Sequence, residues 1–250
     1  MTAKFIFSGA NVVTIGTDKY TFTVTANGTQ LNASKNGAAA TKIATIDAKG
    51  IITYNKVDKN AQTLLNKSAY NVDPFTAGIE IVVTNECDEI LPLTGNKFDV
   101  KFLRPINVVD LKSAELKDAT TGTAKIDMSK LLGLTDWRGE AFAVEPIDFY
   151  TYYGIEGATA ISIDKDKIMT TLNASEAAPK LLKDVAPNMS IDYACDLKKS
   201  GNDITYGDLV YANGKFTINA PFKLFIPVTV KYTFGEVTST VTLTITPTHD

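Results

Sequence analysis

The segment Val241-Thr242-Leu243-Thr244-Ile245-Thr246, near the end of this 250-residue chain, decides the fold. Its apolar and hydroxyl side chains alternate with a period of two, the pattern of a β-strand with one buried and one solvated face. The same alternation occurs in residues 20–25, 79–84 and 98–103. β-Branched side chains suit such a pleated, half-buried surface. The sequence therefore predicts an all-β fold.

Turn signals separate these segments. Asn-Gly pairs occur at residues 27–28, 36–37 and 213–214. Each pair supplies the positive φ angles that a tight hairpin requires. Short strands with this punctuation favour a β-sandwich over a helical bundle.

Helical patterns are short and lie in the second half of the chain. Asp127 is placed to cap a turn over residues 127–132, and Gly133 is placed to end it. Residues 175–185 are a second candidate, although Pro179 breaks a helix unless it lies in the first turn. We expect both to be small insertions in a β scaffold.

An internal repeat divides the chain. Three segments of the first half have counterparts in the same order in the second half: residues 50–54 with 207–211, 79–84 with 222–232, and 98–103 with 241–246. Repeated units indicate two copies of one domain, and single cores tend to split as chains approach about 250 residues. We therefore expect two tandem β-sandwich domains, residues 1–107 and 108–250, with the helical insertions in the second.

Several stretches between residues 45 and 247 carry a resemblance to a known group. They are residues 90–93, 98–107 and 225–235, Leu134-Thr135-Asp136-Trp137-Arg138-Gly139, and Tyr152-Tyr153-Gly154. They resemble immunoglobulin-like segments of large Bacteroidetes surface proteins and of phages that infect those bacteria, including crAss-like phages. The resemblance implies that both sandwich domains are immunoglobulin-like, and none of these stretches is a catalytic signature.

The beginning of the chain bears on location. Residues 1–7 enter an alternating pattern at once, without the apolar segment of a signal peptide or an early lipoprotein cysteine. Virion proteins assemble in the cytoplasm and need neither signal. We therefore expect a virion location, with the bacterial cell surface or the extracellular medium as the alternative.

Charge and hydropathy exclude two classes of partner. The chain carries 25 basic and 28 acidic residues, for a net charge of −3, so it offers no basic field to neutralise phosphates. No apolar run approaches the roughly 20 residues of a membrane helix. We expect neither nucleic-acid binding nor membrane insertion.

The residues of nucleophilic and metal chemistry are scarce. The one histidine, His249, is the penultimate residue, so a Ser-His-Asp or Cys-His device has no positioned base. Cys87 and Cys195 lie in different halves and do not provide zinc-ligand spacing. We expect both cysteines to be reduced, with a long-range bridge as the alternative. The chain is thus predicted to be no enzyme and to need no cofactor or metal.

Clustered carboxylates leave one enzymatic alternative open. A glycosidase needs two carboxyl groups about 5 to 10 Å apart in a cleft, whereas acids clustered in loops are usually solvated. A calcium site at residues 164–166 is disfavoured, because lysines alternate with the two acids and repel a cation. The acids concerned are Glu86, Asp88, Glu89, Glu140, Glu145, Asp164 and Asp166.

An aromatic run provides the candidate binding residues Trp137, Tyr150, Tyr152 and Tyr153. Tyr and Trp combine large rigid area with a polar group, as at interface hot spots and sugar-stacking platforms. On a strand, Tyr150 and Tyr152 share one face and Tyr153 lies on the other. Trp137 also has a structural interpretation, as a sandwich core residue with Arg138 pairing a carboxylate at the edge.

Three functional hypotheses follow. The first is a non-enzymatic virion component, an auxiliary capsid, head-fibre or tail protein, whose partners are other virion subunits or further copies of itself. The second is an adhesion or glycan-binding module of a bacterial cell surface, whose partner is a surface glycan or protein. The third is a hydrolase, which the lack of a positioned histidine disfavours.

Overall fold

The computed structural model divides into two compact units, Met1–Pro105 and Ile106–Asp250. The expected boundary, after residue 107, lies just beyond this division. The structure describes residues 1–10, 13–15, 17–68, 74–110, 116–118, 123–140, 146–157, 159–171, 178–194, 198–200, 203–212 and 221–247. Antiparallel strands dominate both units, so the prediction of an all-β fold is confirmed.

Unit 1 is built from two antiparallel sheets and one helix. Its elements are β1 (Thr2–Ala10), β2 (Val13–Ile15), β3 (Asp18–Val24), β4 (Gln30–Lys35), β5 (Thr41–Ile46), β6 (Ile52–Tyr54), α1 (Lys59–Lys67), β7 (Phe75–Thr84), β8 (Ile90–Leu91) and β9 (Lys97–Phe102). Strands β2 to β6 form a meander in chain order. In the other sheet, β7 pairs with β1 along one edge and with β8 and β9 along the other.

Aromatic rings join the two sheets of unit 1. The ring of Phe75, on β7, stacks on Phe22 of the meander at 5.1 Å between centroids. Its other neighbour is Phe102 on β9, stacked at 4.6 Å. Phe7 and Tyr20 are also fully buried. The period-two pattern directs these rings to the inner faces of the sheets, where they form the core.

Helix α1 corrects the expectation that helices lie only in the second half of the chain. Asp58 accepts hydrogen bonds from the backbone N–H groups of Asn60 and Ala61, so it caps the helix. Ala61, Leu64 and Leu65 recur at helical spacing and are buried. The pattern is too short to stand out in the sequence, and packing on the meander stabilises it.

Unit 2 contains more strands, most of them short. Its elements are β10 (Ile106–Asp110), β11 (Leu116–Asp118), β12 (Thr123–Asp127), a 3-10 turn (Met128–Lys130), β13 (Leu132–Asp136), α2 (Pro146–Tyr153), β14 (Ile161–Ile163), a second 3-10 turn (Lys165–Lys167), β15 (Met169–Thr171), β16 (Lys180–Leu181), α3 (Leu182–Val185), β17 (Ser190–Ala194), β18 (Lys198–Ser200), β19 (Asp203–Thr205), β20 (Asp208–Ala212), β21 (Phe222–Tyr232) and β22 (Gly235–Pro247).

The hairpin of β21 and β22 is the centre of unit 2. Its two strands stay in register from Phe222 opposite Ile245 to Tyr232 opposite Gly235. The edge of β21 that faces away from β22 pairs with β14 and β15, and β15 in turn pairs with β16. On the other side, β11 runs parallel to the end of β22. This sheet is therefore continuous across the hairpin.

One hydrophobic core joins the main sheet of unit 2 to the sheets around β20 and β10. The smaller sheets pair β20 with β12 and β17, β10 with β13, and β18 with β19. Alternate residues of β21, from Phe222 to Tyr232, are buried and belong to the same cluster as Ile126, Leu209 and Ile191 from the sheet around β20. The strict alternation along β21 thus gives the sheet one buried and one open face.

The segments of the predicted repeat can be compared by their pairing in the two units. The segments around β7 and β9, and those around β21 and β22, form antiparallel pairs. The first segments differ: β6 is an edge strand that pairs with β5, whereas β20 lies between β12 and β17. Residues 50–54 and 207–211 are therefore not equivalent strands among the described sheets, because a side chain needs different neighbours at an edge and at a centre.

The predicted helical turns of the second half are shorter than expected. Asp127 caps the first 3-10 turn by accepting from the Ser129 N–H at 2.9 Å. That turn ends at Leu131, and Gly133 lies within β13. In the other candidate segment, the described helix is α3, which begins after Pro179; residues 172–177 lie outside the described part of the chain.

Candidate functional site

The strongest candidate site is an aromatic patch at the turn end of the β21–β22 hairpin. We define the aromatic patch as Tyr152, Tyr153, Tyr232 and Phe234. Two of these residues come from the end of α2 and two from the hairpin turn. Segments far apart in the chain therefore build one surface.

The tyrosine run forms α2, so its predicted strand geometry is wrong. Pro146 opens the helix, a position where its fixed φ angle and missing N–H are tolerated. In a helix, residues three apart share a face, so Tyr150 and Tyr153 lie together and Tyr152 points away. The side chain of Tyr152 is 78% exposed. An aromatic run fits either periodicity, and the proline favours the helix.

A chain of ring contacts connects the exposed tyrosine to the core. Tyr152 meets Tyr153 edge to face, with 4.9 Å between ring centroids. Tyr153 then contacts Tyr232 at 6.4 Å, and Tyr232 contacts Phe234 at 6.0 Å. Tyr232 is a buried member of the unit 2 core. The exposed ring is thus supported by a packed aromatic layer.

The end of α2 is attached to the hairpin turn through Thr233. The carbonyl oxygen of Tyr153 accepts hydrogen bonds from the backbone N–H and the side-chain hydroxyl of Thr233, both at 2.7 Å. Gly154 ends the helix with a φ angle of +64°, and a Cβ there would lie 3.2 Å from the Thr233 hydroxyl oxygen. Glycine therefore permits both the turn and the close approach.

The turn at residues 136–140 carries Trp137. Asp136 accepts from the N–H groups of Arg138 and Glu140 at 2.8 and 3.0 Å, and from Arg138 Nε at 2.9 Å. The Arg138 guanidinium lies 5.4 Å from the centre of the Trp137 ring. Trp137 is 40% exposed, so its interpretation as a core residue is wrong, whereas Arg138 does pair with a carboxylate.

The turn and the aromatic patch influence each other electrostatically. Burial raises the pKa of the Tyr153 hydroxyl, and Tyr152 and Asp136 raise it further. Burial opposes ionisation of Asp136 as well, but the N–H groups of Glu140 and Arg138 and the Arg138 side chain outweigh it and lower its pKa. Asp136 is therefore an ionised neighbour of Tyr153, one residue from Trp137.

Tyr150 faces the interior instead of the patch. Its hydroxyl forms a hydrogen bond with the hydroxyl of Tyr206, and the two rings meet edge to face at 6.0 Å. Burial raises the pKa of both hydroxyls. Of the four predicted binding residues, Tyr152 and Tyr153 thus lie in the patch, Trp137 lies on the adjoining turn, and Tyr150 packs inside.

Sequence reasoning missed the hairpin contribution to this site. Tyr232 and Phe234 flank Thr233, and the three residues precede Gly235, whose φ angle is +109°. An aromatic pair around a tight turn was the available signal. What the sequence did not reveal is that this turn meets α2, because Thr233 and Tyr153 are 80 residues apart.

Unit 1 exposes apolar side chains of its own. Ile90 is 72% exposed and Phe98 is 46% exposed, and Leu93 lies between them in the chain. Exposed apolar side chains grouped in one region are typical of interaction surfaces. The neighbouring residue Cys87 is exposed and forms no disulfide, whereas Cys195 lies outside the described residues.

Three of the candidate carboxylates lie in ion pairs with basic side chains. Asp164 pairs with Lys167 at 2.7 Å, Asp166 pairs with Lys183 at 3.5 Å, and Glu140 pairs with Arg138 at 3.0 Å. Glu145 and His249 lie outside the described residues. Within the described ranges, no three His, Cys, Asp or Glu side chains are grouped to hold a metal ion.

A small cleft of about 230 Å³ lies in unit 2 near α3. Acids and lysines at its rim neutralise each other, since Lys165 pairs with Asp192 and Lys183 pairs with Asp166. Its lining residues are Lys165, Asp166, Ile168, Leu182, Lys183, Pro187, Met189, Ser190 and Ile191. The volume falls below the roughly 300 Å³ of ordinary ligand pockets.

Comparisons with known proteins add no relative: no protein-family model matches the chain, and no curated protein is significantly similar to it. Among the described residues, no helix combines the length and apolar character that crossing a bilayer requires. The fold and site therefore define the protein only as an all-β protein with an exposed aromatic surface.

Proposed function

We propose that this protein is a non-enzymatic interaction protein of a phage virion, an auxiliary capsid, head-fibre or tail component. It acts through subunit contacts, and the aromatic patch is its principal contact for another virion subunit. The observation that carries the proposal is the exposed ring of Tyr152, backed by Tyr153 and the core residue Tyr232. Rigid aromatic side chains of this kind dominate the energy of protein interfaces.

We also propose that the two units are immunoglobulin-like sandwiches. Two observations support this: antiparallel sheets face each other across a common core in unit 1, and an early strand of unit 2 pairs with its last strand, β22. The resemblance to immunoglobulin-like phage segments points the same way. In such a scaffold the loops at the ends of the sheets are free to vary and to bind.

The proposal is tested in the phage that encodes the chain. Mass spectrometry of purified particles should find the protein in a fixed ratio to the main shell protein. A phage carrying Tyr152→Ala should incorporate at least tenfold less of it, because the substitution removes the exposed ring. Tyr150→Phe is the matched control, since its ring packs inside. Particles that lack the wild-type chain would refute the proposal.

A glycan-binding function is the second candidate, favoured by the charged turn beside the patch. Asp136, Arg138 and Glu140 lie next to Trp137, so hydrogen-bonding groups adjoin an exposed aromatic ring. Such a combination suits a sugar, which stacks on the ring and bonds to the polar groups. Saturable binding on a glycan array that Trp137→Ala abolishes, with no chain in particles, would establish this alternative.

A further inference from the structure

We propose that the open face of the β21–β22 sheet binds the same face of a second copy of this chain, forming a two-fold symmetric dimer. This face differs from the aromatic patch, so the inference goes beyond the proposed function and is tested separately. It rests on the outward side chains of the hairpin, on their register and on the distribution of charge among them.

The outward side chains at the centre of the hairpin form a mostly neutral surface. Alternate residues of β21 and β22 are buried, which sends the intervening residues to the other side of the sheet. In register, the central rows are Phe225 with Thr242, Pro227 with Thr240, and Thr229 with Thr238. All six side chains are partly or fully exposed, as read along the two strands.

Apolar residues extend the row of Phe225 across the sheet. Met169 of β15 lies opposite Phe225, and Leu181 of β16 lies opposite Met169. Both are partly exposed. Depletion of charge at the centre, with an aromatic ring and methionine present, is the composition of a protein interface.

The size of this face is that of a small interface. An 11-residue strand such as β21 spans about 36 Å at a rise of about 3.3 Å per residue. Strands β21 and β22 at about 4.8 Å spacing give a width of about 10 Å and hence about 350 Å², and the three-residue strands β14 and β15 beside β21 each add about 50 Å². A standard interface buries about 800 Å² on each partner, so we expect a dimer that dissociates at low concentration.

The charges at the turn end identify a second copy as the partner. Lys231 and Glu236 lie side by side, opposite each other in the hairpin register. Two copies can face each other about a two-fold axis that runs parallel to the strands, midway between β21 and β22. In that arrangement β21 of each copy lies over β22 of the other. Lys231 of each copy then lies over Glu236 of the other. At the far end, Lys223 lies over the hydroxyl of Thr244, since these two residues are also opposite.

This geometry makes the face self-complementary. Sheets that pack face to face lie about 10 Å apart with their strands nearly aligned. Extended lysine and glutamate side chains span that distance. The symmetry forms the ion pair twice, so reversing one charge creates two like-charge contacts.

Charge reversal with light scattering tests the dimer. Size-exclusion chromatography of the full chain should give twice the 27.0 kDa chain mass at high concentration. Lys231→Glu and Glu236→Lys should each raise the dimer dissociation constant at least tenfold. The double variant K231E/E236K restores opposite charges across the axis, so it should restore the dimer.

A matched control separates the interface from effects within one chain. Lys97 and Glu80 are also cross-strand partners, on β9 and β7 of unit 1, 3.6 Å apart. Lys97→Glu creates the same intrachain repulsion as Lys231→Glu and should leave the dissociation constant unchanged. Thr240→Arg, at an exposed central position, should give a monomer by steric and charge obstruction.

Three outcomes would overturn the inference. The wild-type chain is a monomer at every concentration, the single reversals leave a dimer intact, or the double variant remains monomeric while its melting temperature equals that of the wild type. None of these outcomes affects the role of Tyr152, because the particle assay uses a different surface. If Tyr152→Ala reduces incorporation into particles while the dimer stays intact, the dimer is likewise unaffected as an inference.

Discussion

The two units fill the centres of their cores by different means. Unit 1 stacks large rings there, with Phe75 held between Phe22 and Phe102, beside buried aliphatic residues. Unit 2 lines the core side of β21 and β22 mainly with aliphatic residues, such as Ile226 and Val241. A core of few rings concentrates its contacts in single residues, whereas a core of many aliphatics distributes them. Two all-β units of one chain should therefore tolerate substitution unequally.

The largest expected effect is in unit 1. Phe75→Ala should lower the free energy of unfolding of unit 1 by about 3–5 kcal/mol, because it removes a fully buried ring and leaves a cavity. Leu224→Ala in unit 2, at an equally buried site, should cost less, about 2–3 kcal/mol, because its many aliphatic neighbours can close part of the cavity. Hydrogen exchange of β7 and β21 measures the two values.

The single tryptophan distinguishes separate from joint unfolding. Trp137 lies in unit 2, so its fluorescence reports that unit alone. If the units unfold separately, Phe75→Ala leaves the fluorescence transition in denaturant unchanged. If the fluorescence transition shifts by as much free energy as the hydrogen exchange of β7, the two units unfold as one body. The contrast between their cores would then have no separate effect on stability.

A smaller effect should come from α1, the helix of unit 1. Asp58→Ala removes the cap of α1 and leaves two N–H groups without their acceptor. The expected loss is about 1 kcal/mol. Lys59→Ala, at an exposed position of the same helix, is the control and should be nearly neutral. Equal losses from both substitutions would mean that the cap contributes nothing.

The smallest effect concerns acid. The pKa of Asp136 lies below its ordinary value of 3.8 in the folded chain, so folding favours its ionised form. This contribution to stability is complete above that ordinary value and disappears as the pH falls through the folded pKa. Asp136→Asn should therefore flatten the acid limb of the stability profile of unit 2. A profile identical to that of the wild type would contradict the expectation.

The sequence predicted the strands better than the helices. In β22, apolar residues and threonines alternate without exception over residues 241–246, and the structure follows this period. In α2 the aromatic residues are consecutive, so they fit a strand and a helix equally. Pro146 is the one local signal that favours the helix, and the packing of Tyr150 and Tyr153 on the core stabilises it.

The candidate site was predictable in its residue types but not in its assembly. An exposed aromatic run suggested Tyr152 and Tyr153, and both lie in the patch. Tyr150 points inward, where its hydroxyl forms a hydrogen bond with that of Tyr206. The ring of Tyr153 is supported by its contact with the ring of Tyr232. Both contacts join distant parts of the chain, which periodicity and spacing do not relate.

The double hydrogen bond from Thr233 to the Tyr153 carbonyl has a thermodynamic consequence for binding. Because α2 is tied to the hairpin before any partner arrives, the backbone beneath Tyr152 loses little conformational entropy when a complex forms. Thr233→Val keeps the shape but removes the hydroxyl donor. It should therefore weaken association mainly through a more unfavourable entropy, while the contact surface itself stays the same.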